Sequence, residues 1–220
     1  MSIVTKAFLL ATFMGIGTLC VPRAAWTQAS SPTCCAQVST VLTKTMLKVK
    51  VAHLEIDVDS ATAAKVQTVI GGSDSASGRV SDSIASAFMA TTHADATMEF
   101  LHSVTASQFL GGQKGSFKHM VKSGLLTQTA ADQIQQDTQT QFSFLNDGGI
   151  DKGDKLIMTL RGDTVVTRFV TAGGTQRTSF TRVGQDRRMA FLGEYFGPRS
   201  DFRNGLIESA VASATAAGEK

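Results

Sequence analysis

The stretch TMLKVKVAHLEIDVD, residues 45–59, decides the reading of the fold. Leu47, Val49 and Val51 alternate with Lys48 and Lys50, the two-residue period of a strand with one apolar and one wet face. The apolar set then moves to Leu54, Ile56 and Val58, the opposite parity. One slipped residue near Ala52 and His53 accounts for the switch, which predicts a bulge there and makes His53 a bulge residue and not a base.

Beyond the strand the period becomes helical. Asp59 or Ser60 is the expected cap, Ala63, Val66 and Ile70 share a face, and Gly71-Gly72 ends the helix. A polar loop over 71–79 leads to a short helix, capped at Ser81 and carrying Ile84 and Phe88. DATMEFLHSV, residues 95–104, alternates again and predicts a strand through Val104. Two helices follow. The first covers 107–122 with Phe109, Phe117, Met120 and Val121; the second starts near Thr129, carries Ile134, Phe142 and Leu145, and ends at Gly148-Gly149. Gly111, Gly112 and Gly115 each cost about 1 kcal/mol against alanine in a helix. Either the first helix starts late or something approaches it closely.

KLIMTLRG, DTVVTRFVTA and TQRTSFTRVG then read as strands, joined by RGD (161–163) and a Gly-Gly turn at AGGT. Chance suffices for the three-residue RGD match, so it carries no adhesion reading. The chain closes with DRRMAFLGEYF and a final helix carrying Phe202, Leu206, Ile207, Ala210 and Val211 on one side. Gly197-Pro198 separates the two; Ser200 is placed to accept from a first-turn N–H, and Asp201 complements the helix dipole. This order predicts an α+β fold: a large, mostly antiparallel β-sheet covered on one face by a layer of α-helices.

The N-terminus reads differently. Lys6 precedes an apolar run over 7–17, and the chain turns polar with small residues Thr27 and Ala29 before the expected cut. That is the pattern of a secretory signal over 1–29, and the run is shorter than the roughly 20 residues needed to cross a bilayer. The expected organisation is a signal at 1–29, a flexible segment at 30–44, one domain at 45–212 and a disordered tail at 213–220, in an exported protein, periplasmic or extracellular. Losing Lys6 and Arg23 leaves 19 of the 21 basic residues against 18 acidic ones, so the net charge falls from +3 to +1. That charge, without a basic run, gives no footprint for nucleic acid.

Cys20 lies in the expected signal, and the adjacent Cys34 and Cys35 read as a passive pair. His53, His93, His102 and His119 lack the clustered spacing of zinc ligands, so neither a metal nor another cofactor is expected. GGQKGS (111–116) lacks the spacing of a phosphate-binding loop, and no nucleophile-elbow motif is present. Asp147, Asp151 and Asp154 read as a solvated turn. No active site emerges from motifs alone.

Four stretches in series, MLKVKVAHLEIDVD, MEFLHSVTASQFLGGQKGSFKHMVKSGLLT, GGIDKGDKLIMTLRGD and FLGEYFGPRSDFRNGLIES, resemble the bacterial chalcone isomerase-like family over roughly residues 45–211. The resemblance implies that family's fold, with a cleft between sheet and helices. It also implies what catalysis would need: an Arg and a Thr from early strands, a Tyr and an Asn seven residues apart on a helix, and a Ser or Thr on the last helix. Here Phe109 falls at the Tyr and Ser116 at the Asn, the Thr falls near Lys48 or Lys50, and no Arg lies between 36 and 58. Only Ser209 matches, so the family's Tyr, Asn and Arg are missing, and Ser116 and Ser209 are the remaining catalytic candidates.

Three functions stay open. A binder of a small apolar or acyl ligand would line its cleft with Phe109, Phe117 and Met120, use Ser116 and Ser209 as polar contacts, and anchor a carboxylate on Lys48, Lys50 or Arg203. A diverged isomerase would gather two or more polar donors at one cavity floor. An exported partner-binding protein would have a filled cleft and an apolar patch outside.

Overall fold

The computed structural model describes residues 36–44, 49–72 and 78–218. The expected signal, Cys20, Cys34, Cys35 and Lys48 lie outside the described residues.

Six strands, β1 (Ala36–Lys44), β2 (Val49–Val58), β3 (His93–Phe100), β4 (Lys155–Arg161), β5 (Thr164–Val170) and β6 (Gln176–Val183), form one sheet in chain order, every neighbour antiparallel. Helices α1 (Ser60–Gly71) and α2 (Gly78–Met89) fill the β2–β3 connection, and α3 (Ala106–Lys122) and α4 (Gln128–Gln141) the β3–β4 connection. After β6 come α5 (Gln185–Phe196) and α6 (Arg203–Gly218). The expected α+β architecture, a large antiparallel sheet with helices packed on its apolar face, is the one observed.

Strand register makes that face explicit. One row across it joins Leu54, Met98, Leu156, Phe169 and Thr178; the next joins Ile56, Ala96, Met158, Thr167 and Phe180; a third joins Val58, Ala94, Leu160, Val165 and Arg182. Most of these residues are buried, and they share a core with Ile84 and Phe88 of α2, Leu192 and Phe196 of α5, and Leu206 of α6. The opposite face carries Glu55, Asp57, Asp95 and Glu99, with Arg161 paired to Asp95 at 2.7 Å and Lys155 to Glu99 at 3.5 Å. Period-2 alternation therefore sorts each strand into a core side and a wet side.

The structure corrects several boundaries. Residues 36–44 form the edge strand β1, so the flexible reading of 30–44 fails over this part. Its polar Ser and Thr residues weaken the alternation, and Val38 is the one fully buried apolar side chain among them. The parity switch in β2 lies at Val51: Leu42 pairs with Ala52 and Thr43 with Lys50, leaving Val51 as the extra residue. His53 is thus regularly paired, with Val41 and Glu99. Helix α2 begins at Gly78, ahead of Ser81. β3 ends at Phe100, and Val104 makes only an isolated bridge to Ile150. A separate 3-10 turn at Ser143–Asp147 follows α4, and α6 continues to Gly218, where the tail was expected to be disordered.

Helix α6 closes the domain over β1. Gly205 comes so near Thr40 that a Cβ would overlap that side chain. One turn on, the Ser209 hydroxyl accepts from the Ser39 backbone N–H at 3.0 Å, satisfying a donor on the edge strand. The junction before α6 differs from the expected cap: Ser200 Oγ accepts from the N–H of Phe202, which precedes the helix, at 3.1 Å, and donates to the Glu194 carbonyl at 2.6 Å, tying the turn back to α5.

Candidate functional site

A cavity of about 400 Å³ lies between the inner sheet face and helices α3, α4 and α5. Its floor is built from alternate residues of β2–β6, including Ala52, Met98, Leu156, Met158 and Thr167. Phe109 and Phe117 of α3, Ile134 of α4, and Ala190 and Phe191 of α5 supply the roof. Phe142, just after α4, organises one wall: its ring meets Phe109 at 5.2 Å, Phe180 at 5.7 Å and Phe144 at 6.0 Å. The edge-to-face contacts with Phe109 and Phe180 fix ring orientation beyond simple burial. The exposed residues His102, Ser103, Gln108 and Gly112 bring one end of the cavity to the surface.

The polar part of the lining away from that end includes Gln113, Thr138, Glu194 and Tyr195, and Gln113 Oε1 is buried without a partner. Glu194 and Tyr195 come from adjacent positions of α5. Glu194 as a residue is half-buried, while its carboxyl is buried. Burial pushes that carboxyl up to about 7; the Ser116 hydroxyl, donating to Oε1 at 3.2 Å, pulls it down, and the charge of Asp201 adds to the rise. Burial, then Glu194, raises the Tyr195 hydroxyl well above its usual value. That hydroxyl's recorded contact is the Met158 sulfur at 3.8 Å.

Two arginines stand at the β6–α5 corner. Arg182 occupies an inward position of β6, its guanidinium 4.6 Å from the Phe180 ring centre and 3.4 Å from Thr138 Oγ1. Burial, followed by repulsion from Arg187, lowers its pKa, while Asp137 opposes the fall. Arg187, in the first turn of α5, pairs with Asp137 of α4 at 2.6 Å. Arg182 Nη2 and Arg187 Nη1 are both buried and have no hydrogen-bond partner.

The residues singled out in the sequence are dispersed. Phe109 and Phe117 line the cavity. Met120 packs in a separate cluster with Leu126, Ala131 and Ile134 between α3, α4 and α5. Ser116 is turned to Glu194, and Ser209 to β1. Arg203 donates to the Phe196 carbonyl at 2.9 Å and pairs with Asp82 at 2.5 Å, away from the cavity lining. Lys50 is exposed and does not line the cavity either. Among the described residues, Ser116, Ser209 and Lys50 are therefore not gathered at one cavity floor. Sequence reading missed Arg182, Arg187 and Glu194; the available signal was the inward parity that Arg182 shares with Phe180.

No protein-family profile matches the chain, and no curated protein matches it in sequence. Its fold is similar to the crystal structure of a fatty-acid binding protein of Arabidopsis thaliana, at 12% identity and a TM-score of 0.56, covering 82% of this chain and 88% of that one. The six-stranded open sheet with its helical layer is thus a chalcone isomerase-like fold.

Proposed function

We propose that this chain binds a small apolar or acyl molecule in the cavity between sheet and helices, and that it does so without the family's isomerase chemistry. The carrying observation is the cavity itself: about 400 Å³, walled mainly by aromatic and aliphatic side chains. A filled cleft, the condition for the partner-binding reading, is not what the packing leaves. The volume accommodates about a dozen methylene-sized groups, taking roughly 30 Å³ for a water-sized unit. The Arabidopsis protein of similar fold is a fatty-acid binding protein, which supports the same class of ligand here.

The loss of catalysis has its own support. Phe109, at the position matching the family's Tyr, offers no hydroxyl, and Ser116 and Ser209 are engaged with Glu194 and the β1 backbone. We further propose kinship with the bacterial chalcone isomerase-like proteins, on the four-motif series, and export, on Lys6 and the apolar run over 7–17. Among the described residues no helix is long and apolar enough to cross a membrane.

Displacement of N-phenyl-1-naphthylamine, a neutral fluorophore that brightens in apolar sites, tests the binding reading. Saturable 1:1 uptake, competed by acids of eight to twelve carbons, is expected. Absence of both uptake and competition overturns it.

A further inference from the structure

We propose that Arg182 and Arg187 form the anionic-headgroup site of this cavity and that the headgroup is a monocarboxylate. The inference rests on the apolar-ligand reading above and adds the chemical class of the polar end.

Both side chains line the cavity, and the corner they form is short of acceptors: Nη2 of Arg182 and Nη1 of Arg187 are buried without a partner. Their other contacts leave these two nitrogens free. Arg182 reaches Thr138 through Nη1 at 3.4 Å, and Arg187 holds Asp137 through Nη2 at 2.6 Å. A buried donor left without an acceptor costs about 1–3 kcal/mol, more when charged, so the corner carries more donors than the protein itself satisfies.

Charge selects the acceptor. Two guanidiniums face a single carboxylate, Asp137, and the repulsion from Arg187 is felt at Arg182. One further negative charge neutralises the corner; a dianion would leave an excess beside Asp137 and share the cavity with Glu194. A carboxylate accepts through two oxygens, and charge-assisted bonds of this kind are about twice as strong as neutral ones. Phe180, under the Arg182 guanidinium, carries the apolar wall up to the charge.

The corner is also well placed for an amphiphile. Arg182 shares its row with Val165 and Leu160, three rows from the Ala52–Phe100 row where the exposed His102 and Ser103 follow. An acyl chain leaving the arginines therefore runs diagonally over Met158, Leu156 and Met98. No arginine lies between 36 and 58, so this pair is on different elements from the early-strand arginine of the isomerases.

The test compares decanoate with 1-decanol as competitors of N-phenyl-1-naphthylamine, on the full chain and on Arg182→Gln. Arg182 is the first target because Arg187 also pairs with Asp137. Decanoate is expected to bind at least 10-fold tighter than decanol. In Arg182→Gln the ratio of decanoate to decanol affinity shrinks about 10-fold or more, and Arg182→Lys recovers part of it. On the unmodified chain, the NMR resonance of carboxyl-13C decanoate should stay in its ionised position below the pH at which the free acid protonates. Equal affinity for acid and alcohol, with Arg182→Gln altering neither, overturns the headgroup site and leaves the apolar cavity reading standing. Failure of fluorophore, acid and alcohol alike overturns both. Should Arg182→Gln fail to fold, the carboxyl resonance decides, and titration as in free solution refutes the site.

Discussion

Replacing Glu194 by glutamine should flatten the pH dependence of stability. The carboxyl is pushed up to about 7, chiefly by burial, from its ordinary value of 4.5. The folded protein thus binds this proton more tightly than the unfolded chain. Its contribution is fully present below the unfolded pKa and is lost as pH rises through the folded value, over about pH 4.5–7. A shift of this size corresponds to about 3 kcal/mol, at roughly 1.4 kcal/mol per unit. The glutamine side chain would still accept from Ser116 through its amide oxygen but cannot ionise. The unmodified protein should therefore lose up to about 3 kcal/mol relative to Glu194→Gln between pH 4.5 and pH 8, or roughly 6–12 °C in Tm for a domain of this size. Urea unfolding of both proteins across that range is the assay. Other titrating groups are common to both and cancel in the difference, with Asp201 the one to check because its charge acts on Glu194. Parallel stability curves from pH 4.5 to 8 would refute the buried-acid account.

Other perturbations follow from single contacts. Gly205→Ala should destabilise by about 1–3 kcal/mol in chemical unfolding, since the new methyl meets Thr40 where α6 crosses β1. Gly111→Ala should stabilise by about 0.5–1 kcal/mol, because nothing approaches within 4 Å of the added Cβ and helix propensity improves. Tyr195→Phe should change stability by less than about 1 kcal/mol, as its hydroxyl gives up only the contact with the Met158 sulfur. Phe142→Ala should cost about 3–5 kcal/mol and weaken fluorophore binding, since that ring joins Phe109 and Phe180 in the cavity wall.

The fold was legible where periodicity was strong. Leu54, Ile56 and Val58 announce their strand because each buries an apolar side chain while Glu55 and Asp57 face water. β1 was not legible, because an edge strand covered by a helix is built with Ser39, Thr40 and Thr43, whose polarity reads as loop. The three glycines of α3 pointed to a late start or a close approach; the helix instead runs straight through them, the open space at their Cβ positions showing that no neighbour requires them. The site was half legible. Phe109 and Phe117 follow from helical spacing, whereas Arg187 and Glu194 depend on how α5 lies against α3 and α4, a tertiary relation that local spacing does not encode. Arg203 has no local partner that spacing would reveal, because its carboxylate is distant in the chain: Asp82 of α2.

The central claim is that the sheet–helix cavity holds an apolar or acyl ligand. Native mass spectrometry of the protein purified gently from its own cells addresses it most directly. A stoichiometric adduct with the mass of an acyl or aromatic acid is expected, released on denaturation and restored by adding decanoate to the stripped protein. Protein that emerges without an adduct, and takes up no decanoate at concentrations well above micromolar, would contradict it.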